Sequence, residues 1–145
     1  MTLDSFILAA HAFSTLAMVG LIWFVQVVHY PLFAAVPAEA FRAYESSHQR
    51  RTTWVVAPLM LVELVTAASI AAGFVAGVPN GPSYVGVGLV VAVWGVTFLV
   101  SVPLHAKLES GKDEAVIRRL VATNWIRTVL WTARGAVAVL VLPGV

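Results

Sequence analysis

Residues 64–106 read LVTAASIAAGFVAGVPNGPSYVGVGLVVAVWGVTFLVSVPLHA and contain no Asp, Glu, Lys or Arg. Midway, Val78-Pro79-Asn80-Gly81-Pro82-Ser83 punctuates the run with the residues of a tight turn, Pro fixing φ and Asn-Gly tolerating positive φ. The apolar halves on either side are each near the ~20 residues that a helix needs to cross a hydrocarbon core about 30 Å thick. The stretch therefore predicts a helical hairpin in a membrane. A lipid-exposed strand would alternate polar and apolar residues, and these runs are apolar all round.

The same pattern extends outward. Residues 5–38 are also free of formal charge, whereas 39–51 hold five charges and 107–119 hold seven. Across 145 residues, 60% are hydrophobic and 11% charged, about half the charged share of an average soluble domain. One all-α polytopic domain over residues 1–145 is expected, a four-helix transmembrane bundle with spans at about Phe6–Phe33, Thr52–Gly77, Tyr84–Leu104 and Leu120–Leu142. The opening Met-Thr-Leu-Asp lacks a basic n-region and the following apolar run is too long for a signal-peptide core, so no cleavage is expected.

Arg42, Arg50 and Arg51 fall in the first loop, and Lys107, Lys112, Arg118 and Arg119 in the third. By the positive-inside rule these loops face the cytoplasm of a bacterial inner membrane, with both termini on the outer, periplasmic side. The net charge of +2 and pI near 9.4 then reflect loop topology, and no nucleic-acid partner is expected. The bilayer is the expected partner, with a homo-oligomer or a larger membrane complex as further possibilities. Without cysteine, disulfides, thiolate metal sites, iron–sulfur clusters and thiol catalysis are excluded. Nucleotide-binding and hydrolase motifs are likewise missing. Trp23, Trp54, Tyr84 and Trp125 sit where interfacial aromatics would, while Trp94 and Trp131 fall mid-span. Gly73 and Gly77 form a Gly-x-x-x-Gly suited to close helix packing, and Pro58 predicts a kink near Trp54. His29-Tyr30-Pro31 and Pro103-Leu104-His105, each followed by a charged loop and a Trp-bearing helix start, hint at a duplication about an axis along the membrane normal.

Ionisable groups inside a span cost about 2.5–3.5 kcal/mol each on insertion scales and call for a partner or a job. Counted at ~1.5 Å per residue from the cytoplasmic ends, Asn124 and Arg127 lie roughly 6 and 10 Å deep, Glu63 roughly 16 Å and Arg134 roughly 21 Å. At 100° per residue, Asn124, Arg127, Trp131 and Arg134 fit an arc of about 80°, a stripe expected to face the bundle interior. Glu63 must neutralise Arg127 or Arg134, and depth alone does not choose. The pair is either a structural lock or a charge relay.

Histidines supply the second set. Gln26 and His29 share a face, as do Glu45 and His48, whose Glu-x-x-His spacing suits a metal but occurs once, in an exposed-looking segment after Pro37. His29, His48 and His105 are expected to meet at the cytoplasmic mouth, where with Glu45 they are candidate ligands for zinc, copper or another transition metal, or axial ligands of haem. His11 lies 18 residues from His29, about 27 Å along the helix, and cannot share that metal.

Scattered positions along nearly the whole chain carry a resemblance: Leu8-Ala9-Ala10-His11 with Met18-Val19-Gly20-Leu21, Arg50-Arg51 before Pro58-Leu59-Met60, His105 before Lys107-Leu108, then Arg118-Arg119 and Asn124. The pattern resembles the small four-helix membrane proteins around the HemJ-type protoporphyrinogen oxidases and the CopD-like families. HemJ-type proteins bind haem b and oxidise protoporphyrinogen, passing electrons to the respiratory chain, and the resemblance maps His11 and His105 onto histidines of that pattern. Departures are Trp125-Ile126-Arg127-Thr128 in place of Glu-x-Pro-Thr after Asn124, and no lysine before His105. The motifs Gln26 to Pro31 and Asn124 to Arg134, together with Glu63, resemble instead a group of uncharacterised bacterial membrane proteins.

The leading expectation is a membrane oxidoreductase acting on a lipophilic or quinone-like substrate. His29 or His105 would hold haem b or a metal, with His11 and His48 as further candidates and Asn124 as a further cofactor-binding residue. Arg127 and Arg134 would steady an anionic group or quinone oxygen, and Glu63 would accept a proton. The alternative is a non-catalytic accessory subunit or a small transporter whose buried charges only lock helices.

Overall fold

The structure, a computed structural model, describes residues 2–142. It is a four-helix bundle: α1 Leu3–Ala35, α2 Ala38–Ala71, α3 Asn80–Leu108 and α4 Glu114–Leu140. The first three are long and apolar enough to span a membrane. In α4, Asn124, Arg127 and Arg134 lower the mean hydropathy, yet all three side chains are buried while Ile126, Val129 and Leu140 face outward.

Each end has a local cause. Thr2 caps α1 by accepting from the Ser5 N–H at 3.2 Å, and Asp113 caps α4 by accepting from the Ala115 and Val116 N–H groups at 2.8 and 3.1 Å. Gly73, at φ 79°, stops α2: its N–H donates to Ile70 O, and the Phe74 N–H reaches back to Ser69 O. The expected Gly-x-x-x-Gly packing motif is therefore corrected. Gly73 and Gly77 both lie beyond the end of α2, with positive φ, and serve as turn residues.

The second span is also longer at its start than expected. Residues 38–51 were expected as an exposed loop helix, but they continue into the span as one 34-residue helix running through Pro58. Its first half packs inward, leaving Phe41 and Glu45 fully buried.

Two π-helical turns interrupt the odd helices, Val25–His29 in α1 and Thr97–Ser101 in α3. Each ends two residues before a proline, Pro31 or Pro103. Proline lacks an N–H and its ring crowds the carbonyl four residues back, so the preceding turn widens. The Tyr30 N–H accordingly bonds Val25 O and the Val102 N–H bonds Thr97 O, five residues back. The two proline-flanked histidine motifs thus share a backbone feature.

The helices form a ring in which α1 contacts α2 and α4, and α3 contacts α2 and α4. The diagonals α1–α3 and α2–α4 are bridged by long side chains. Lys112, in the α3–α4 loop, donates to Ala34 O at 2.7 Å and Val36 O at 2.9 Å, so both charged loops lie at one end. Asp4 accepts from the Ala76 N–H at 3.2 Å, tying the start of α1 to the α2–α3 turn at the other end. Apolar layers sit at both ends and between, the middle one built from Met18, Ile22, Met60, Val93 and Trp131. Outward-facing Phe24, Val27, Leu61, Val65, Val91, Phe98 and Val129 are exposed, the surface a bilayer would solvate. Trp23, Trp54, Tyr84 and Trp125 are exposed as well, whereas Trp131 is in the core.

Candidate functional site

Polar side chains stack inside the bundle in three groups. The deepest from the charged loops joins three helices: Arg134 Nε donates to Glu63 Oε1 at 2.7 Å, across the α2–α4 diagonal. Arg134 Nη2 lies 2.7 Å from His11 Nε2, and His11 Nδ1 lies 2.9 Å from Thr66 Oγ1. Arginine only donates, so Nε2 accepts, Nδ1 carries the proton and donates to Thr66, and the threonine hydroxyl donates to Val62 O at 2.8 Å. Arg134 is 2% exposed and Glu63 0%, and the adjoining void of about 10 Å³ has room for no more than one water. The choice that depth left open therefore falls on Arg134. His11, which spacing set apart, belongs with this pair.

One layer nearer the loops, Asn124 Nδ2 donates to Gln26 Oε1 at 3.0 Å, Gln26 Nε2 to Val121 O at 3.2 Å, and Arg127 Nη1 to Asn124 Oδ1 at 3.1 Å. Arg127 is buried, is in no ion pair among the described residues, and its Nε has no partner.

The third group occupies the charged-loop end. His105 Nδ1 lies 2.6 Å from Glu45 Oε1, and His105 Nε2 lies 2.8 Å from the Tyr30 hydroxyl, across the α1–α3 diagonal. With Glu45 ionised and accepting from Nδ1–H, Nε2 is left to accept from the tyrosine O–H. Gln49 Nε2 donates to the same carboxylate oxygen at 3.0 Å. His29 Nε2 and His48 Nδ1 are 2.8 Å apart, and the His48 ring centre is 5.3 Å from that of His105. Glu45 is 0% exposed and Tyr30 4%. Gln26 and Tyr30, four apart on α1, are both buried and point inward from one helix.

Between α2 and α3 runs a cleft of about 340 Å³, walled by Met60, Leu61, Phe98 and Val102, with Tyr30, His48, His105 and Arg127 at its base. Trp94 also lines it, and its indole N–H, like Arg127 Nε, is buried without a partner. Such orphan donors are uncommon in folded proteins, and both belong to residues that line the cleft. Glu63 and Arg134 do not line the cleft.

The arrangement can be tested against haem or a metal. The lone pair of His11 Nε2 faces Arg134 and that of His105 Nε2 faces Tyr30, so as arranged neither ring has a nitrogen free for iron. His29 and His48 point a nitrogen at each other, and among the described residues no group of three or more His, Asp or Glu is arranged to hold an ion. As arranged, His11 and His105 do not fit an axial-ligand role, while His29 Nδ1 and His48 Nε2 lie outside these hydrogen bonds.

Tyr30, Gln49, Thr66 and Trp94 are the participants that sequence spacing missed. Tyr30 had a signal in its place between His29 and Pro31, and Thr66 one in its position three residues after Glu63. Trp94 had only its mid-span location. No family model, curated protein or solved structure matches the chain.

Proposed function

We propose that the chain is an inner-membrane protein of bacteria that binds a lipophilic, quinone-like molecule in the cleft between α2 and α3 and exchanges a proton with its oxygen. The observation that carries this reading is Arg127: a buried guanidinium that is in no ion pair among the described residues, whose Nε has no partner among them, and whose side chain lines the cleft together with Trp94, another residue with an unpartnered N–H. A buried cation without a counter-charge is costly in a membrane interior and favours a ligand that brings an oxygen bearing full or partial negative charge.

Tyr30, His105 and Glu45 supply the acid–base chemistry. When a substrate hydroxyl gives its proton to the Tyr30 oxygen, the tyrosine proton moves to His105 Nε2 and an imidazolium forms beside the Glu45 carboxylate. The substrate oxyanion left behind is held by Arg127, through hydrogen bonds strengthened by charge and low dielectric. The reverse transfer protonates a reduced quinone oxygen, with electrons arriving from a separate redox partner. From the likeness to the HemJ-type and CopD-like families the proposal keeps the four-helix membrane bundle and the lipophilic substrate, and takes up neither haem nor porphyrin. Glu63, outside the cleft, has no part in this transfer.

The test is equilibrium binding of a short-tailed benzoquinone to the detergent-solubilised protein. Arg127→Met is expected to weaken binding at least tenfold, the loss of about one charge-assisted hydrogen bond. Equal affinity of the two proteins would overturn the proposal. A second reading, a non-catalytic subunit, is favoured by the His11–Arg134–Glu63–Thr66 group, which is sealed and joins helices. Recovery of one constant large partner from native membranes, with no quinone binding, would support it.

A further inference from the structure

A second cavity, about 390 Å³, lies on the other side of His48, between α1 and α2. It is independent of the quinone reading. Its α2 wall follows one helical stripe, Tyr44, Ser47, Arg51 and Val55, spaced three or four apart. Its α1 wall runs from Leu21 through Phe24 to His29, whose ring stacks on that of Phe24 with centroids 6.3 Å apart. The helices run in opposite directions, since both charged loops share an end. Leu21 and Val55 therefore lie together at the deeper end, while His29, Tyr44 and Ser47 lie together toward the charged loops.

The groove is thus graded along its length. One end is hydrocarbon, with Leu21, Phe24 and Val55 exposed or half-exposed. Toward the loops the groove offers the hydroxyls of Tyr44 and Ser47, and on the same stripe between Ser47 and Val55 stands Arg51, exposed and in no ion pair among the described residues. Neighbouring Arg50 lines neither this cavity nor the cleft. A cation without an ion pair on the wall of an apolar groove complements an anionic head carried on a hydrocarbon chain. We infer that this groove is a binding site for an anionic phospholipid of the surrounding bilayer, its phosphate on Arg51 and its acyl chain along Leu21, Phe24 and Val55.

The experiment titrates the full chain, in a neutral detergent, with phosphatidylglycerol and with phosphatidylcholine of the same chain length, reading bound lipid by native mass spectrometry. Phosphatidylglycerol is expected to bind about tenfold more tightly, a difference of ~1.4 kcal/mol. Arg51→Gln should bring the two lipids within twofold, while Arg50→Gln keeps the preference. Val55→Phe, at an exposed position that leaves the helical circular dichroism unchanged, should weaken both lipids by filling the hydrocarbon end. Equal binding of the two lipids to the unaltered protein would overturn the inference, as would a preference that survives Arg51→Gln. Inorganic phosphate displacing phosphatidylglycerol at equal concentration would overturn it too, by pointing to a free-anion site.

Discussion

Replacing Arg134 by Met removes one end of the ion pair that bridges the α2–α4 diagonal. Glu63 would keep a fully buried carboxylate, of which Oε2 is already without a partner and Oε1 loses its 2.7 Å donor. His11 loses its donor as well. Breaking a buried pair from one side costs about 3–5 kcal/mol, because an uncompensated charge remains. That corresponds to roughly two to three and a half decades in the unfolding equilibrium. Glu63→Leu should cost a similar amount by stranding Arg134. The double variant Glu63→Leu/Arg134→Met removes both charges and keeps apolar volume, so its cost should be well below the sum of the singles, with a coupling of at least ~2 kcal/mol. Reversible unfolding by dodecyl sulfate in mixed micelles, read by far-ultraviolet circular dichroism, gives all four free energies. Single variants costing less than about 1 kcal/mol, or single costs that simply add, would refute the lock.

Other expectations concern packing and chemistry. A Cβ on Gly135 would lie 2.9 Å from Val19 Cγ2, so Gly135→Ala should destabilise the α1–α4 contact by about 1–3 kcal/mol in the same unfolding assay; an unchanged midpoint would show that the helices shift freely. Gly86→Ala would bring a Cβ within 3.2 Å of Arg134 Nη1, and is expected to be milder because this approach is less close than the 2.9 Å at Gly135. Tyr30→Phe should leave quinone affinity within about threefold while slowing proton release at least a hundredfold, the usual scale of a positioned acid–base group, measured with a pH dye after a quinol is bound. Protein produced with ample haem is expected to show no shifting Soret band that depends on His11 or His105, because their ring nitrogens are engaged; a band that shifts on dithionite reduction and is lost in His105→Ala would show that those bonds open to iron.

Much of the fold was legible in the charges. The free tracts 5–38 and 64–106 lead to the helices and to the α2–α3 hairpin, and the Asn124–Arg134 stripe does face inward, but the expected turn at Val78–Ser83 is displaced: the chain reverses over residues 72–79, at the positive φ of Gly73 and Gly77, and Asn80–Ser83 form the first turn of α3. Helix ends were less legible. Residues 38–51 look exposed because Glu39, Arg42, Arg50 and Arg51 dominate their composition, yet Phe41, Glu45 and His48 follow a helical spacing whose inward direction depends on α1 and α3 being present.

The site was legible as residue types and only partly as neighbours. Depth placed Glu63 about equally far from Arg127 and Arg134, and the choice came from which residues share a level across the diagonal. His11 was measured against His29 on its own helix, which hid its position opposite Arg134. The π-turns were unreadable at 100° per residue, because a widened turn resets the phase after it. Gln26 and Tyr30, four apart, share the inner surface as ordinary helical spacing places them, Tyr30 meeting His105 and Gln26 meeting Asn124.

The most direct test of a cleft that offers hydrogen-bond donors to a quinone-like oxygen is the infrared difference spectrum of a carbonyl-labelled short-tailed benzoquinone bound to the protein. The Arg127 and Trp94 donors predict a bound carbonyl band moved to lower wavenumber than in hydrocarbon, with most of that shift lost in Arg127→Met. A labelled carbonyl that keeps its hydrocarbon frequency, or a shift that persists without Arg127, would contradict the assignment.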